Sequence, residues 1–472
     1  MKAAATLLAV LILGGTATDL PAANSAPLAI AVPVPAHQRF RLANGVTVIL
    51  LPQREVPLTA FTAVLRGGAQ TDPAGKAGLA SLLAGLLEKG AGTRDAYAFA
   101  DAVAGAGGSF SAAAGTESIT VAGQFLSRDR ALMVELLADA LLRPKLLADE
   151  FKTLRDREIE SIKANKDSDP SSLTGDYGRA LLFGAHPYGS PQSGSERSLA
   201  NLAIADLQQY YREQVGADRL TLVFAGDIDA KWLRAAVSKA FAGMRPAARA
   251  LPALATPVGA KGRRLLLVDA PGSVQSYFWI GSVGVARKFP QRAALDIVNT
   301  LYGGRFTSIL NTELRIKSGL SYSASSRFTR GSVPGEFAIT SFAQTENTVK
   351  AIDLALETLD RLHRDGIDQT QLESARAYVL GQYPTRLETA ANWSATLADL
   401  ELYGLDKSYI EDYGPALSAV ALATATQVVA DAFPSTGNLR IVVIGDAAKI
   451  RDSLQKYGEV ADMKLTAPDF TP

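Results

Sequence analysis

At 472 residues the chain is long enough for two or three domains of ordinary size. Hydrophobic residues make up 47% of it and charged residues 20%, a composition that excludes a disordered or fibrous class. The 48 basic and 47 acidic residues nearly cancel, with no long run of one sign, so neither nucleic acid nor an anionic membrane surface is expected as the main partner.

The chain opens with Met1-Lys2, followed by an apolar run from Ala3 to Gly15 and small residues from Thr16 to Ala26. This is the layout of a secretory signal peptide over residues 1–26, with cleavage at about residues 18–26. The apolar run is shorter than the roughly 20 residues a membrane span needs. There is no Cys, hence no disulfide and no lipid-attachment thiol. The mature chain is expected to be soluble, periplasmic or secreted, and free of the membrane after cleavage.

Strands are predicted at Gly45 to Leu51 and Thr59 to Arg66. A helix follows over Gly78 to Gly90. Leu79, Leu82, Leu83, Leu86 and Leu87 recur at helical spacing and form one wide apolar face. Ser81, Ala84 and Gly85 form a separate stripe of small residues. Glycine inside a helix costs about 1 kcal/mol relative to alanine, so Gly85 needs a reason, and close packing of another element is the simplest. Beyond it come a strand at Ser118 to Gln124, long amphipathic helices over Arg128 to Ala164, and the strand Leu220 to Asp227 ending in Gly-Asp.

The Pro-, Ala- and Gly-rich stretch Arg245 to Gly262 reads as a linker, drawn at residues 249–261. The same elements then recur: strands at Arg264 to Val268 and Ser276 to Ser282, a middle strand at Gly335 to Phe342, helices over Gln344 to Tyr383, and Leu439 to Asp446 repeating the Gly-Asp strand. Glu150 to Arg155 has a looser counterpart in Gln371 to Arg376 at nearly the same separation. Two patterns sharing nearly one offset argue for a duplicated α+β domain, with domains at 36–248 and 262–460.

In the second half, a helix from about Thr307 to Lys317 is expected to stop at Gly319, with a strand starting at Leu320. Arg315 and Tyr322 flank that corner. Read locally, they are an arginine favoured by a helix C-terminus and a tyrosine in a half-buried strand.

The first-half helix resembles the M16 peptidase family, whose N-terminal domain carries Gly-Leu-Ala-His-x-x-Glu-His followed by Lys-Gly, an inverted zinc motif. Gly78-Leu79-Ala80 and Lys89-Gly90 keep the frame, but Ser81 and Gly85 replace the histidines and Ala84 the glutamate. None of the three is a zinc donor of useful strength, and Ala84 cannot act as a base. The family's third ligand falls near Glu158 to Ser161, where Glu160 is the candidate. The only histidines, His37, His186 and His363, are too scattered to suggest another metal site, and His186 lies in a His-Pro-Tyr-Gly loop that is structural in the family.

The second half keeps more. Leu314-Arg315 and Gly319-Leu320-Ser321-Tyr322 are similar to the family's Leu-Arg-x-x-x-Gly-Leu-x-Tyr block, whose Arg and Tyr reach the zinc site and bind peptide. Arg327 is a possible support. The mitochondrial alpha subunits carry a long glycine-rich loop where this chain has only Gly303-Gly304. The resemblance implies two homologous α/β domains, each an antiparallel-rich sheet packed with helices. It further implies the metal-free subunit of a heterodimeric zinc peptidase. That subunit binds no cofactor, pairs with a homologous chain that holds the zinc, and presents Arg315 and Tyr322 to a short or unfolded peptide. A non-enzymatic peptide-binding or scaffold protein stays open as the alternative. A thiol or Gly-x-Ser-x-Gly nucleophile is absent from the sequence.

Overall fold

The computed structural model describes residues 30–259 and 261–472, so the expected signal peptide at 1–26 lies outside the described residues. The first half contributes β1 (Gln38–Arg41), β2 (Thr47–Pro52), β3 (Leu58–Arg66), the short pair β4 (Gly90–Ala91) and β5 (Arg94–Asp95), β6 (Ser109–Ala114), β7 (Ser118–Leu126) and β8 (Leu220–Gly226). The second contributes β9 (Arg264–Asp269), β10 (Gln275–Val283), β11 (Ala324–Arg330), β12 (Pro334–Gln344), β13 (Arg440–Gly445) and β14 (Glu459–Lys464).

Two six-stranded sheets result, ordered β1-β2-β8-β3-β7-β6 and β14-β9-β13-β10-β12-β11. Five strands of each follow one plan. The Gly-Asp strand, β8 or β13, runs parallel to the first long strand of its half and antiparallel to the second. The echo in the sequence is therefore an echo of position. Only the sixth strand differs: β1 pairs antiparallel to β2, whereas β14 pairs parallel to β9. All of β8 is buried, which is why it reads as a nearly continuous apolar run interrupted only by Thr221. Its closing glycine, Gly226, has φ +115°, and a Cβ there would lie 2.2 Å from the carbonyl oxygen of Leu58.

What buries both faces is an exchange between the halves. Helix Ala390–Tyr403 of the second half packs on β3 and β8 of the first, and helix Thr174–Phe183 of the first packs on β10 and β13 of the second. The Thr62 and Ser394 hydroxyls meet at 2.8 Å in the first contact. In the second, Gly178 lies so close to the buried Trp279 that a Cβ would be 2.4 Å from its ring. The chain ends cross as well. Ile30, Val32 and Val34 pack on the second-half core, while Leu465 and Phe470 join the first-half core.

Each long helical region divides in two. Arg130–Leu142 and Ala148–Ser168 are separated at Pro144, and Thr348–Asp365 and Gln369–Gln382 at Gly366, whose φ is +67°. The expected helix over 78–90 is found as Leu79–Leu86. It stops early because Gly90, at φ +101°, begins β4, and because the Glu88 carboxylate accepts from the Ala112 N–H of β6 at 2.5 Å.

Candidate functional site

The helix Leu79–Leu86 starts at Gly78, whose φ is +97°. The Asp72 carboxylate accepts from the N–H groups of Gly78 and Ala80, both at 2.9 Å, and so supplies the cap that glycine lacks. Burial pushes the Asp72 carboxyl up to about 7, against the pull of these N–H groups. Leu79, Leu82, Leu83 and Leu86 are buried as the spacing requires. Ala84 is 1% exposed, while Ser81 and Gly85 are half-buried.

Facing this stripe is Leu154 of the helix Ala148–Ser168. A Cβ built on Gly85 would come within 2.7 Å of Leu154 Cδ2. Packing is therefore what the glycine provides. Glu158, one turn beyond Leu154, is half-buried beside Arg157 at 3.6 Å. Glu160, the candidate third ligand, is exposed and accepts from Lys163 at 2.9 Å.

The zinc of an inverted motif does not fit these residues. A hydroxyl, a methyl and a hydrogen stand on the helix, and a leucine methyl stands opposite. Among the described residues, no three or more of His, Cys, Asp and Glu are grouped so as to hold a metal ion. The three imidazoles lie apart, each against a backbone carbonyl: His37 at Pro35, His186 at Ala255 and His363 at Pro434. His186 Nδ1 also accepts from the Tyr188 N–H, which fixes its loop.

The second-half corner is built differently. A single turn at Ile309–Asn311 widens into π-type bonding over Thr312–Lys317. Ser318 closes the helix by donating to the Leu314 carbonyl at 2.9 Å, and Gly319 turns the chain at φ +65°. The strand expected from Leu320 begins instead at Ala324. Residues 320–323 follow local hydroxyl bonds rather than a ladder: Ser321 Oγ donates to the Ser323 carbonyl, and Ser341 Oγ donates to Ser321 Oγ. Tyr322 thus sits in the turn, 70% exposed, rather than half-buried in a strand.

Arg315 and Tyr322 come together. The Arg315 guanidinium carbon lies 4.2 Å from the centre of the Tyr322 ring and 4.9 Å from that of Phe306. Phe306 is itself 61% exposed. Buried Asn311 ties the two aromatics to one frame, donating to the Phe306 carbonyl at 2.7 Å and accepting from the Ala324 N–H at 3.2 Å. Stacking of this kind holds a guanidinium in place while leaving its N–H donors free to bind. Phe306 and Asn311 escape sequence reasoning. The glycine pair before Phe306 marks a loop, but nothing in the sequence shows which ring folds back over Arg315.

Two family models cover most of the folded chain. One, described as insulinase (peptidase family M16), matches residues 50–186, and one described as the peptidase M16 inactive domain matches residues 201–379. An uncharacterized zinc protease of Mycobacterium tuberculosis is 30% identical over 72% of this chain and 78% of its own length. The chain belongs to the M16 peptidase family. A non-peptidase homolog of Helicobacter pylori is 23% identical over 79% of this chain and 85% of its own length. Among solved structures, a peptidase M16 inactive domain of Pseudomonas fluorescens superposes with a TM-score of 0.81 at 22% identity, over 87% of this chain and 98% of that one. A protease from Helicobacter pylori gives 0.80 at 19% identity, over 87% and 99%. These likenesses establish the two-domain M16 fold. Within it, the helix expected to carry the zinc motif presents Ser81, Ala84 and Gly85, none of which is a zinc donor of useful strength.

Proposed function

We propose that this chain is the metal-free subunit of a two-chain zinc peptidase, exported to the periplasm or secreted. A homologous chain with an intact motif carries the zinc and the general base. This chain closes the other half of a substrate chamber and lends Arg315 and Tyr322 to the bound peptide. A Tyr hydroxyl suits the oxyanion that develops on a scissile carbonyl, and a guanidinium suits the backbone carbonyls of an extended peptide. An enclosed chamber restricts substrates to short or unfolded chains.

The observation that carries the reading is the pairing of opposites in one molecule. Arg315 is stacked on an exposed Tyr322 at 4.2 Å, while the helix that should hold the metal is filled by Leu154. The test is recovery of the tagged chain from its native compartment. A companion chain of similar size bearing the complete zinc motif supports the reading. Recovery of this chain alone or as a homodimer, without hydrolysis, supports the scaffold alternative instead.

A further inference from the structure

Between the start of the helix Thr174–Phe183 and the outer face of β10 to β12 lies a cleft of about 390 Å³. Its lining contains two guanidinium groups, Arg179 and Arg327, hydroxyls such as those of Ser171, Ser172 and Ser325, and no carboxylate. Ser323 also lines it and follows Tyr322 directly in the chain, so the cleft lies beside the corner described above.

The two arginines differ in what holds them. Arg179 donates through Nη2 to Asp176 at 2.6 Å, and its Nη1 lies 3.7 Å from Glu336, so its charge is balanced within the protein. Arg327 donates through Nη2 to Glu336 Oε1 at 3.0 Å, but its Nε and Nη1 have no partner among the described residues. Its side chain is 47% exposed. Glu336 is fully buried, lies outside the cleft lining, and has one carboxylate oxygen with no hydrogen-bond partner.

A buried carboxylate is expensive unless paired, and breaking such a pair strongly destabilises. Here it fixes one end of a guanidinium from behind and leaves the other donors facing solvent. That is pre-organisation of a charge-assisted donor. Gly175 keeps the space clear, since a Cβ there would lie 3.2 Å from Arg179 Nη1 and 3.7 Å from Arg327 Nη2.

We propose that this cleft binds a carboxylate of the peptide, with Arg327 as its ligand. The assignment rests on the peptide-binding reading above and adds a chemical preference to it. The carboxylate has two sources, the free C-terminus of the peptide or an acidic side chain within it.

Binding of a short fluorescent peptide to the purified full chain separates the possibilities. Three forms are compared: a free C-terminal acid without acidic residues, the same peptide as its C-terminal amide, and the amide with one internal Glu. One or both carboxylate-bearing forms should bind about tenfold or more tighter than the plain amide, as a charge-assisted hydrogen bond implies. Which of them does so identifies the source. The preference should vanish in Arg327→Gln/Glu336→Gln, which removes the buried pair together, and weaken in Arg327→Lys, which keeps Glu336 paired. Equal binding of all three forms overturns the assignment, as does a preference that survives in the double variant. If the three forms bind equally and Arg315→Ala weakens all of them alike, only the carboxylate site falls. If none binds, either to the lone chain or to the chain recovered with its partner, the peptide-binding reading falls with it.

Discussion

Each half of this chain carries a helix, a left-handed glycine and an edge strand, and the two corners have opposite fates. In the first half the helix Ala96–Gly105 leads through Gly107, at φ +60°, to β6. Its aromatic, Phe110, turns inward against Phe99 and Phe61, with ring centres at 5.1 and 5.7 Å. In the second half the helix ending at Lys317 leads through Gly319, at φ +65°, towards β11, and Tyr322 turns outward over Arg315. The same backbone device adds to a core in one place and displays polar chemistry in the other. The small-residue helix Leu79–Leu86 completes the contrast, because Gly85 serves packing against Leu154. Duplication preserved the scaffold, and the exposed Arg315–Tyr322 pair stands in one half only.

The sharpest way to break this comparison is at the outward corner. Tyr322→Phe in the two-chain complex should lower kcat about 10²–10³-fold, the range for removing one oxyanion donor. Arg315→Ala should act in the same direction through peptide binding. Tyr322 is exposed and Arg315 half-buried with no ion pair to lose among the described residues, so thermal unfolding and assembly should stay close to the range of ordinary surface substitutions. Normal turnover in both variants would remove the assigned roles.

A second effect concerns how independent the halves are. Leu397 is buried in the helix that the second half lays on the first-half sheet. Leu397→Ala should cost about 2–5 kcal/mol, and denaturant unfolding should stay a single transition reporting on both sheets. Two separated transitions would mean that the exchange of helices is not what joins the halves.

Gly85→His probes the inward helix. It should destabilise the chain by about 1–3 kcal/mol through overpacking against Leu154. Added Leu154→Ala should recover part of that loss, as a double-mutant cycle would reveal. Purely additive losses would show that Leu154 is not what Gly85 makes room for.

The last effect is a slope with pH. The Asp72 carboxyl sits at about 7 when folded, above the ordinary value of about 3.9. The folded state therefore holds this proton more tightly than the unfolded chain. Its contribution to stability is complete below about pH 4 and is lost as pH rises through about 7. Asp72→Asn, with an amide oxygen still able to cap Gly78 or Ala80, should flatten this part of the stability profile in buffered denaturant titrations. An unchanged slope would assign the pH dependence to other groups.

Much of the strand plan was legible because β8 and β13 are sheathed on both sides and so read as continuous apolar runs ending in Gly-Asp. That Ser81, Ala84 and Gly85 offer no zinc donor was legible from residue identity alone. The exchange of Thr174–Phe183 and Ala390–Tyr403 between halves was not, since an apolar helix face does not say which sheet it covers. Nor was the true start of β11, because Ser318, Ser321 and Ser341 satisfy backbone groups locally where a ladder was expected. Phe306 and Asn311 act through contacts that spacing does not encode.

The decisive experiment is hydrolysis of an unfolded peptide by the tagged chain recovered from its native compartment, beside the same chain expressed alone. Hydrolysis in the native sample only, abolished by a chelator and accompanied by a zinc-motif partner, is the expected result. Chelator-sensitive hydrolysis by the lone chain would contradict it, because Ser81, Ala84 and Gly85 supply no ligands from which such activity could arise.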